Sequence, residues 1–482
     1  MKDIIKYASH ISITDYAMGD CKALENAYTY TENWKKFSVG IVYDYESKEL
    51  MLFGGVKVSY IQYLTGGLPY YEDFSFDERK SASVRLQGFP RNSLQQKMIK
   101  FLIGEGEYQS NTNLHQLSCN AETGEGKTFC AVAMITYFKV KTIIIVNRVS
   151  ISETWEKEVT KFTDYDERNI QILKGNDLSN IYEGKEKKYK DKSIFICVHR
   201  TIYNFGEKYG WKALHEVFKI LGIGLKIYDE AHREFANTTM IDCYTNTFKT
   251  VYLTATLRLS NPKANYIFKH LFTEIPQFNQ RELGYLDAKK HIVMIAFMYN
   301  SRPSMDAKKK CYNARMHYFN AKEHSMYQVT DDDQFFIVLD SIINKMSIRN
   351  NFRTLILVSR IKACEEIANF IKENHDVNVG IFNSSINKEE KDIVLRDAHI
   401  IVSTSSSLGE SATIDDLHCV INCEAHRNLG DQDSGRLRKP KDGSLCYYCE
   451  LVDTGFKSIT NQWNSRKKHY LSIFKNVIEL RV

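Results

Sequence analysis

Ala121-Glu-Thr-Gly-Glu-Gly-Lys-Thr128 lies between Leu117-Ser-Cys-Asn120, short enough for a strand, and Phe129-Cys-Ala-Val-Ala-Met-Ile-Thr-Tyr137, a run of helical length. A glycine-bearing turn between a strand and a helix start gathers backbone N–H groups at the positive end of the helix dipole, which together hold an anion. Gly124, Glu125 and Gly126 form that turn, and the two glycines let its N–H groups face the ligand. Lys127 reaches terminal phosphates and the Thr128 hydroxyl can ligate Mg2+. The strict phosphate-loop pattern opens on glycine, whereas this one opens on Ala121.

A second stretch supplies the carboxylates. Leu225-Lys-Ile-Tyr-Asp-Glu-Ala-His232 is an apolar strand ending in an acidic pair, with Asp229 lying 102 residues after Lys127. Asp229 can join the Mg2+ shell, and Glu230 can position and deprotonate water. In an open α/β sheet both belong at the carboxyl edge, beside the phosphate loop. A Gly-Lys-Thr or an Asp-Glu alone is common. The two together, each at a strand end, point to nucleotide hydrolysis.

Around these stretches the chain alternates short apolar runs with helical patterns. Thr142–Val146, Ser193–Val198, Gly224–Tyr228 and Thr250–Leu253 make one set of strands. Thr354–Val358, Val379–Phe382, Ala398–Val402 and Cys419–Ile421 make a second. Continuous apolar strands separated by helices predict parallel sheets covered on both faces. The expected organisation is a small N-terminal β or α+β domain over residues 1–88, a first α/β domain over 89–275, a crossover over 276–325 and a second α/β domain over 326–455. A basic helical tail over 456–482 follows, with Trp463, Tyr470, Leu471 and Phe474 as its apolar stripe.

Composition bounds the rest. The 482 residues predict about three domains. Six prolines and 24 glycines exclude collagen-like and low-complexity chains, and 43% hydrophobic content supplies real cores. The net charge of +6 permits a nucleic-acid partner without requiring one. No apolar run approaches a membrane span, and Met1-Lys-Asp-Ile-Ile-Lys6 has no secretory core. Eleven scattered cysteines fit a reducing cytoplasm. Cys446-Tyr-Tyr-Cys449 has no second pair to complete four ligands and reads as strand, so no structural metal is expected.

These motifs resemble those of superfamily-2 helicases and translocases. Ala121–Thr128 looks like motif I in its helicase form, which accounts for Ala121, and Asp229–His232 is the DEAH form of motif II. Leu253-Thr-Ala-Thr256 resembles motif III; with His232, its Thr254 and Thr256 would couple nucleotide state to the nucleic-acid face. Leu94-Gln-Gln-Lys97 resembles the segment in which a glutamine reads adenine, with Gln95 chosen and Gln96 the other candidate. Ile145–Trp155 and Val198–Thr201 resemble motifs Ia and Ib, Leu355–Arg360 motif IV, Val402–Leu417 motif V and Gln432–Lys439 motif VI.

The resemblance implies two tandem RecA-like domains of the α/β class, with ATP and Mg2+ bound between them. Gly409 would also face nucleotide. Arg436 would neutralise the γ-phosphoryl, with Arg438 or Lys439 as a second cation and Gln432 orienting water. Arg148, Arg200, Arg360 and Thr404 would contact nucleic acid. Two departures stand out: Lys439 replaces the arginine that usually ends motif VI, and Thr413 replaces the usual aspartate of motif V. The segments around 411–421 and 435–439 look most like phage helicases of the UvsW type, which branch-migrate DNA in recombination and fork repair. That implies a DNA partner, a monomer and a phage protein in the host cytoplasm. An RNA helicase or transcript-release ATPase, a restriction motor subunit and a non-catalytic nucleic-acid-binding module are the alternatives.

Overall fold

The computed structural model describes residues 2–17, 19–20, 22–32, 35–75, 82–122, 124–185, 187–254, 262–280, 289–313, 318–408, 414–425, 434–440 and 442–482. Two compact units emerge, Met1–Gly284 and Tyr285–Val482.

The first unit is built on a seven-stranded sheet. Its order is Ile170–Leu173, Ile194–Val198, Thr142–Val146, Leu225–Tyr228, Lys249–Thr254, Gln116–Asn120 and Gln277–Asn279. Every pairing is parallel. Three central strands are wholly buried, as their unbroken Val/Ile/Leu-rich sequences require when helices cover both faces.

The N-terminal residues form a five-stranded sheet ordered Ile41–Asp44, Glu49–Phe53, His10–Ile13, Ile4–Lys6 and Tyr70–Glu72. It is antiparallel except where Ile4–Lys6 meets Tyr70–Glu72. Its core is shared with the larger sheet: Ile11, Leu52 and Phe53 cluster with Tyr228, Tyr252, Phe268 and Phe272. The Phe53 ring lies 5.7 Å from Tyr252 and 5.5 Å from Phe272. At Gly55 a Cβ would fall 2.3 Å from the Leu271 carbonyl oxygen, so only glycine permits this approach. So small a sheet cannot bury its apolar face alone, and the first unit supplies the cover.

The second unit repeats the plan: Val379–Phe382, Ile400–Thr404, Arg353–Val358, Leu417–Asn422, Cys446–Asp453, Ile292–Tyr299 and Asn476–Arg481, again all parallel. Alternate residues feed two cores on opposite faces. Met294 and Tyr448 enter one, Ile295 and Leu451 the other. Cys446 and Cys449 fall into different cores, which is incompatible with chelating one ion. Among the described residues no cluster of three metal-ligating side chains occurs, and the ten described cysteines are free and buried.

Two stretches differ from the sequence reading. Residues 276–325, expected as a crossover, give an edge strand to the first sheet and the eight-residue strand Ile292–Tyr299 to the second. Residues 456–482, expected as a helical tail, form the helix Lys457–Ile473 and then the edge strand Asn476–Arg481. Trp463 and Tyr470 are buried on that helix and Phe474 just past its end, but Leu471 is 61% exposed. Arg466 and Ile473 complete the buried face instead, because 463, 466, 470 and 473 follow the 3–4 spacing and 471 is rotated off it. No helix among the described residues is long and apolar enough to cross a membrane.

Candidate functional site

All the parallel strands of the first sheet point the same way, so the residues after them collect at one edge. The phosphate loop follows Gln116–Asn120, the acidic pair follows Leu225–Tyr228, and Thr254 ends the strand lying between those two.

The loop is tightly fixed. Helix Lys127–Phe138 starts at Gly126, whose φ of 85° is left-handed, as is the 89° of Gly124. A Cβ on Gly126 would lie 2.1 Å from Gln95 Nε2. Gln95, buried on helix Ser93–Ile103, donates from Nε2 to the Glu125 carbonyl at 2.9 Å and accepts the Arg91 N–H at 2.8 Å. Its carboxamide thus ties the loop to the backbone at Arg91. Gln96 is exposed. Arg91 donates from Nη2 to the Gly124 carbonyl at 3.0 Å, and Gln280 Oε1 accepts the Glu122 N–H at 2.9 Å. Burial, helped by nearby Glu122, raises the Glu125 pKa.

Lys127 is buried and donates to the carbonyls of Ala121 at 2.7 Å and Glu122 at 3.3 Å. Its ammonium also lies 3.9 Å from Glu230 Oε1. Thr128 follows it in the first helical turn, half-buried. Glu230 adopts φ 49°, a left-handed conformation costly for a residue with a Cβ; such strain concentrates at functional sites. His232 Nδ1 sits 3.3 Å from Glu230 Oε2 and 2.8 Å from Thr254 Oγ1, while Ala121 N–H donates to the Thr254 carbonyl at 3.1 Å. The three loops are therefore in direct contact. Burial lowers the His232 pKa, favouring a neutral ring.

Burial, reinforced by the Glu230 charge, pushes Asp229 up to about 6. The Trp155 indole N–H opposes this by donating to Asp229 Oδ2 at 2.8 Å. One buried carboxylate, a neighbouring carboxylate and a hydroxyl are hard oxygen donors, which suit Mg2+ when substrate phosphates complete its shell.

Under the site lies a buried polar network. Lys226 pairs with Asp242 and donates to Thr245 Oγ1 at 2.7 Å. The hydroxyls of Tyr228 and Tyr252 donate to Asp242 at 2.8 and 2.6 Å. Gln116 Nε2 donates to Tyr252 Oη at 2.7 Å and to the Ser9 carbonyl at 3.2 Å, joining the N-terminal sheet.

The expected nucleic-acid contacts also follow strand ends. Val146 and Val198 pair in register, and Arg148 and Arg200 lie two residues beyond them. Arg148 caps helix Val149–Phe162, and the exposed Arg200 guanidinium stands 5.6 Å from the Tyr203 ring centre. In the second unit Val358 pairs with Thr404, and Arg360 lies two residues on. Arg360 donates to Glu323 at 2.6 Å. Buried Thr404 bonds Ser407 Oγ at 2.6 Å and accepts its N–H at 3.1 Å. Half-buried Arg436 and exposed Arg438 flank Leu437, which is anchored by burial and by His291 Nε2 at 2.8 Å from its carbonyl oxygen; Lys439 is exposed. Thr256, Gly409, Thr413 and Gln432 lie outside the described residues.

Sequence reasoning missed Arg91, Trp155, Gln280 and Asp242. Arg91 lies four residues before Gln95 and Trp155 closes the motif Ia segment, so both had a positional signal; Gln280 and Asp242 had none.

Comparison with known proteins finds matches in sequence and in fold. Residues 89–259 match the family described as Type III restriction enzyme, res subunit, and residues 336–438 match the Helicase conserved C-terminal domain. "Putative helicase 161L" of Invertebrate iridescent virus 6 is 23% identical over 373 residues, covering 74% of this chain and 76% of that protein. The solved structure of S. cerevisiae Dbp5 bound to RNA and ADP BeF3 superposes with a TM-score of 0.52 at 14% identity, over 80% of this chain and 89% of that one. T4 UvsW aligns over 99% of both chains at 15% identity with a TM-score of 0.36.

Proposed function

This chain belongs to the superfamily-2 helicases, and on that footing we propose that it is an ATP-driven motor that moves on branched DNA. The observation that carries the ATPase reading is the meeting of three strand ends: Lys127 beside Glu230, Asp229 next to it, and His232 bonded to Thr254. Lys127 and the loop N–H groups hold the phosphates, and Glu230 takes the proton from the attacking water. Thr128 and Asp229 would hold Mg2+, which when bound offsets phosphate charge. Arg436 of the second unit is the cation assigned to the γ-phosphoryl, with Arg438 or Lys439 as its second. The His232–Thr254 bond supports a relay from nucleotide state to the nucleic-acid edge. Arg148, Arg200 and Arg360, two residues beyond strand ends, and Thr404, at a strand end, are the proposed backbone contacts; such contacts are sequence-independent and salt-sensitive. Branched DNA as substrate is supported by the likeness of residues 411–421 and 435–439 to UvsW-type helicases.

The test is steady-state ATP hydrolysis with no nucleic acid, single-stranded DNA, duplex DNA, a four-way DNA junction and single-stranded RNA, with Lys127→Ala as control. Stimulation greatest with the junction and absent from the control is expected. Stimulation by RNA alone overturns the DNA reading and leaves the family intact.

A further inference from the structure

Asp229 is gripped twice by one continuous segment. Its backbone N–H donates to the Ile145 carbonyl at 2.9 Å, and its Oδ2 accepts the Trp155 indole N–H at 2.8 Å. Ile145 lies in strand Thr142–Val146; Trp155 lies on the next helix, Val149–Phe162, which Arg148 begins. Trp155 is 1% exposed and packs beside Ile151 and Val159 on the buried face of that helix. An indole N–H can only donate, so this contact fixes the carboxylate rotamer in one sense. With Oδ2 bound, the remaining lone pairs face a set direction, and Mg2+ is strict about ligand direction. Partners that orient a metal carboxylate usually change metal affinity ten- to a hundredfold when removed.

We propose that Trp155 is a positioning residue that aims Asp229 at Mg2+ and ties that aim to the helix headed by Arg148. The inference rests on the reading of Asp229 as the Mg2+ carboxylate and of Arg148 as a nucleic-acid contact. Strain on Arg148 from a bound strand moves the helix, and with it the hydrogen bond that holds Asp229. The segment thus links the nucleic-acid edge to the metal without passing through motif III.

Trp155→Phe in the full chain keeps one aromatic ring in the core and removes the donor together with the second ring, so ADP binding in EDTA serves as the control for packing. The first readout is Mn2+ uptake followed by electron paramagnetic resonance in the presence of ADP. The Mn2+ midpoint is expected to rise about tenfold or more, with ADP binding in EDTA unchanged. The second readout is taken on wild type: in chain labelled with 15N at indole nitrogen, one of four tryptophan signals should shift when Mg2+ is added to the ADP complex. The same signal should be missing from Trp155→Phe. A variant midpoint within twofold of wild type, or four indole signals indifferent to Mg2+, overturns the proposal. If wild type hydrolyses ATP on nucleic acid and the variant midpoint is still unchanged, this inference fails and the functional reading stands. Wild type that takes up no Mn2+ with nucleotide overturns both.

Discussion

Each parallel sheet buries an ion pair between a strand and a covering helix, and the two pairs have opposite polarity. In the first unit the strand carries the cation, Lys226, and helix Phe235–Tyr244 carries Asp242. In the second the strand carries the anion, Glu450, and helix Lys457–Ile473 carries Arg466. The partners are 16 residues apart in both cases, and all four are at most 2% exposed. The difference lies in what else the helix residue holds. Arg466 pairs with Glu450, and Tyr470 and Tyr448 also act on its charge. Asp242 also takes hydroxyls from Tyr228 and Tyr252, and Gln116 reaches it through Tyr252. Those residues sit on the three strands that end in the phosphate loop, the acidic pair and Thr254. A buried ion pair is weak evidence for stability, because desolvation offsets its attraction. In the first unit it links the three strands whose ends carry the glycine loop, the acidic pair and Thr254; in the second it fixes a helix.

The largest effect is expected from Asp242→Ala. It strands the Lys226 charge and two hydroxyls, so chemical denaturation should show a loss of about 3–5 kcal/mol. Nucleotide affinity should fall with it, whereas Glu450→Ala should cost similar stability and spare nucleotide affinity. Equal losses of affinity in the two variants would erase the distinction. Replacing both partners with apolar residues sharpens it. Glu450→Leu with Arg466→Met should stay within about 1 kcal/mol of wild type. Lys226→Met with Asp242→Leu should still lose about 1–3 kcal/mol, because the tyrosine hydroxyls are left without their acceptor.

Acid separates the units next. His199, stacked on Tyr228 at 5.8 Å, has its pKa lowered to about 3 by burial, and neither ring nitrogen has a hydrogen-bond partner. The ring is neutral in the fold and titrates near 6.5 when unfolded, so its contribution is intact above about pH 6.5 and is lost as pH falls below that value. His199→Phe should therefore gain about 2 kcal/mol on wild type between pH 7 and pH 5, read from denaturation midpoints. A parallel pH dependence in both chains would refute this. The smallest effect tests the helix of the second unit: Leu471→Lys should change stability by at most about 0.5 kcal/mol, while Tyr470→Ala, one position away, should cost about 3–5 kcal/mol.

Most central strands were legible because continuous Val/Ile runs have one stable use, between two helical layers. Thr142–Val146 and Val379–Phe382 match the reading to the residue. Ile292–Tyr299 was equally apolar but stood inside a stretch read as crossover, so its pattern went unused. Asn476–Arg481 mixes polar and apolar residues without a regular period at an exposed edge, and pairing with Ile292–Tyr299 makes it a strand. At the candidate site, the spacing of the motifs was enough to put Lys127, Glu230, His232 and Thr254 at neighbouring strand ends, where the structure has them. The residues holding them were not legible. Arg91, Gln280 and Asp242 act through contacts set by the fold, and any donor or acceptor at that point in space would serve.

The shared core of the first unit bears on how the protein is made. Ile11, Leu52 and Phe53 find their cover in Phe268, Leu271 and Phe272, more than two hundred residues later. At about 5–20 residues added per second, the N-terminal sheet spends on the order of ten seconds or more outside the ribosome with its apolar face bare. Synthesis of this protein should therefore depend on a holding chaperone at the nascent chain. The demand should end as the helix Pro262–Leu271 emerges, well before the second unit exists.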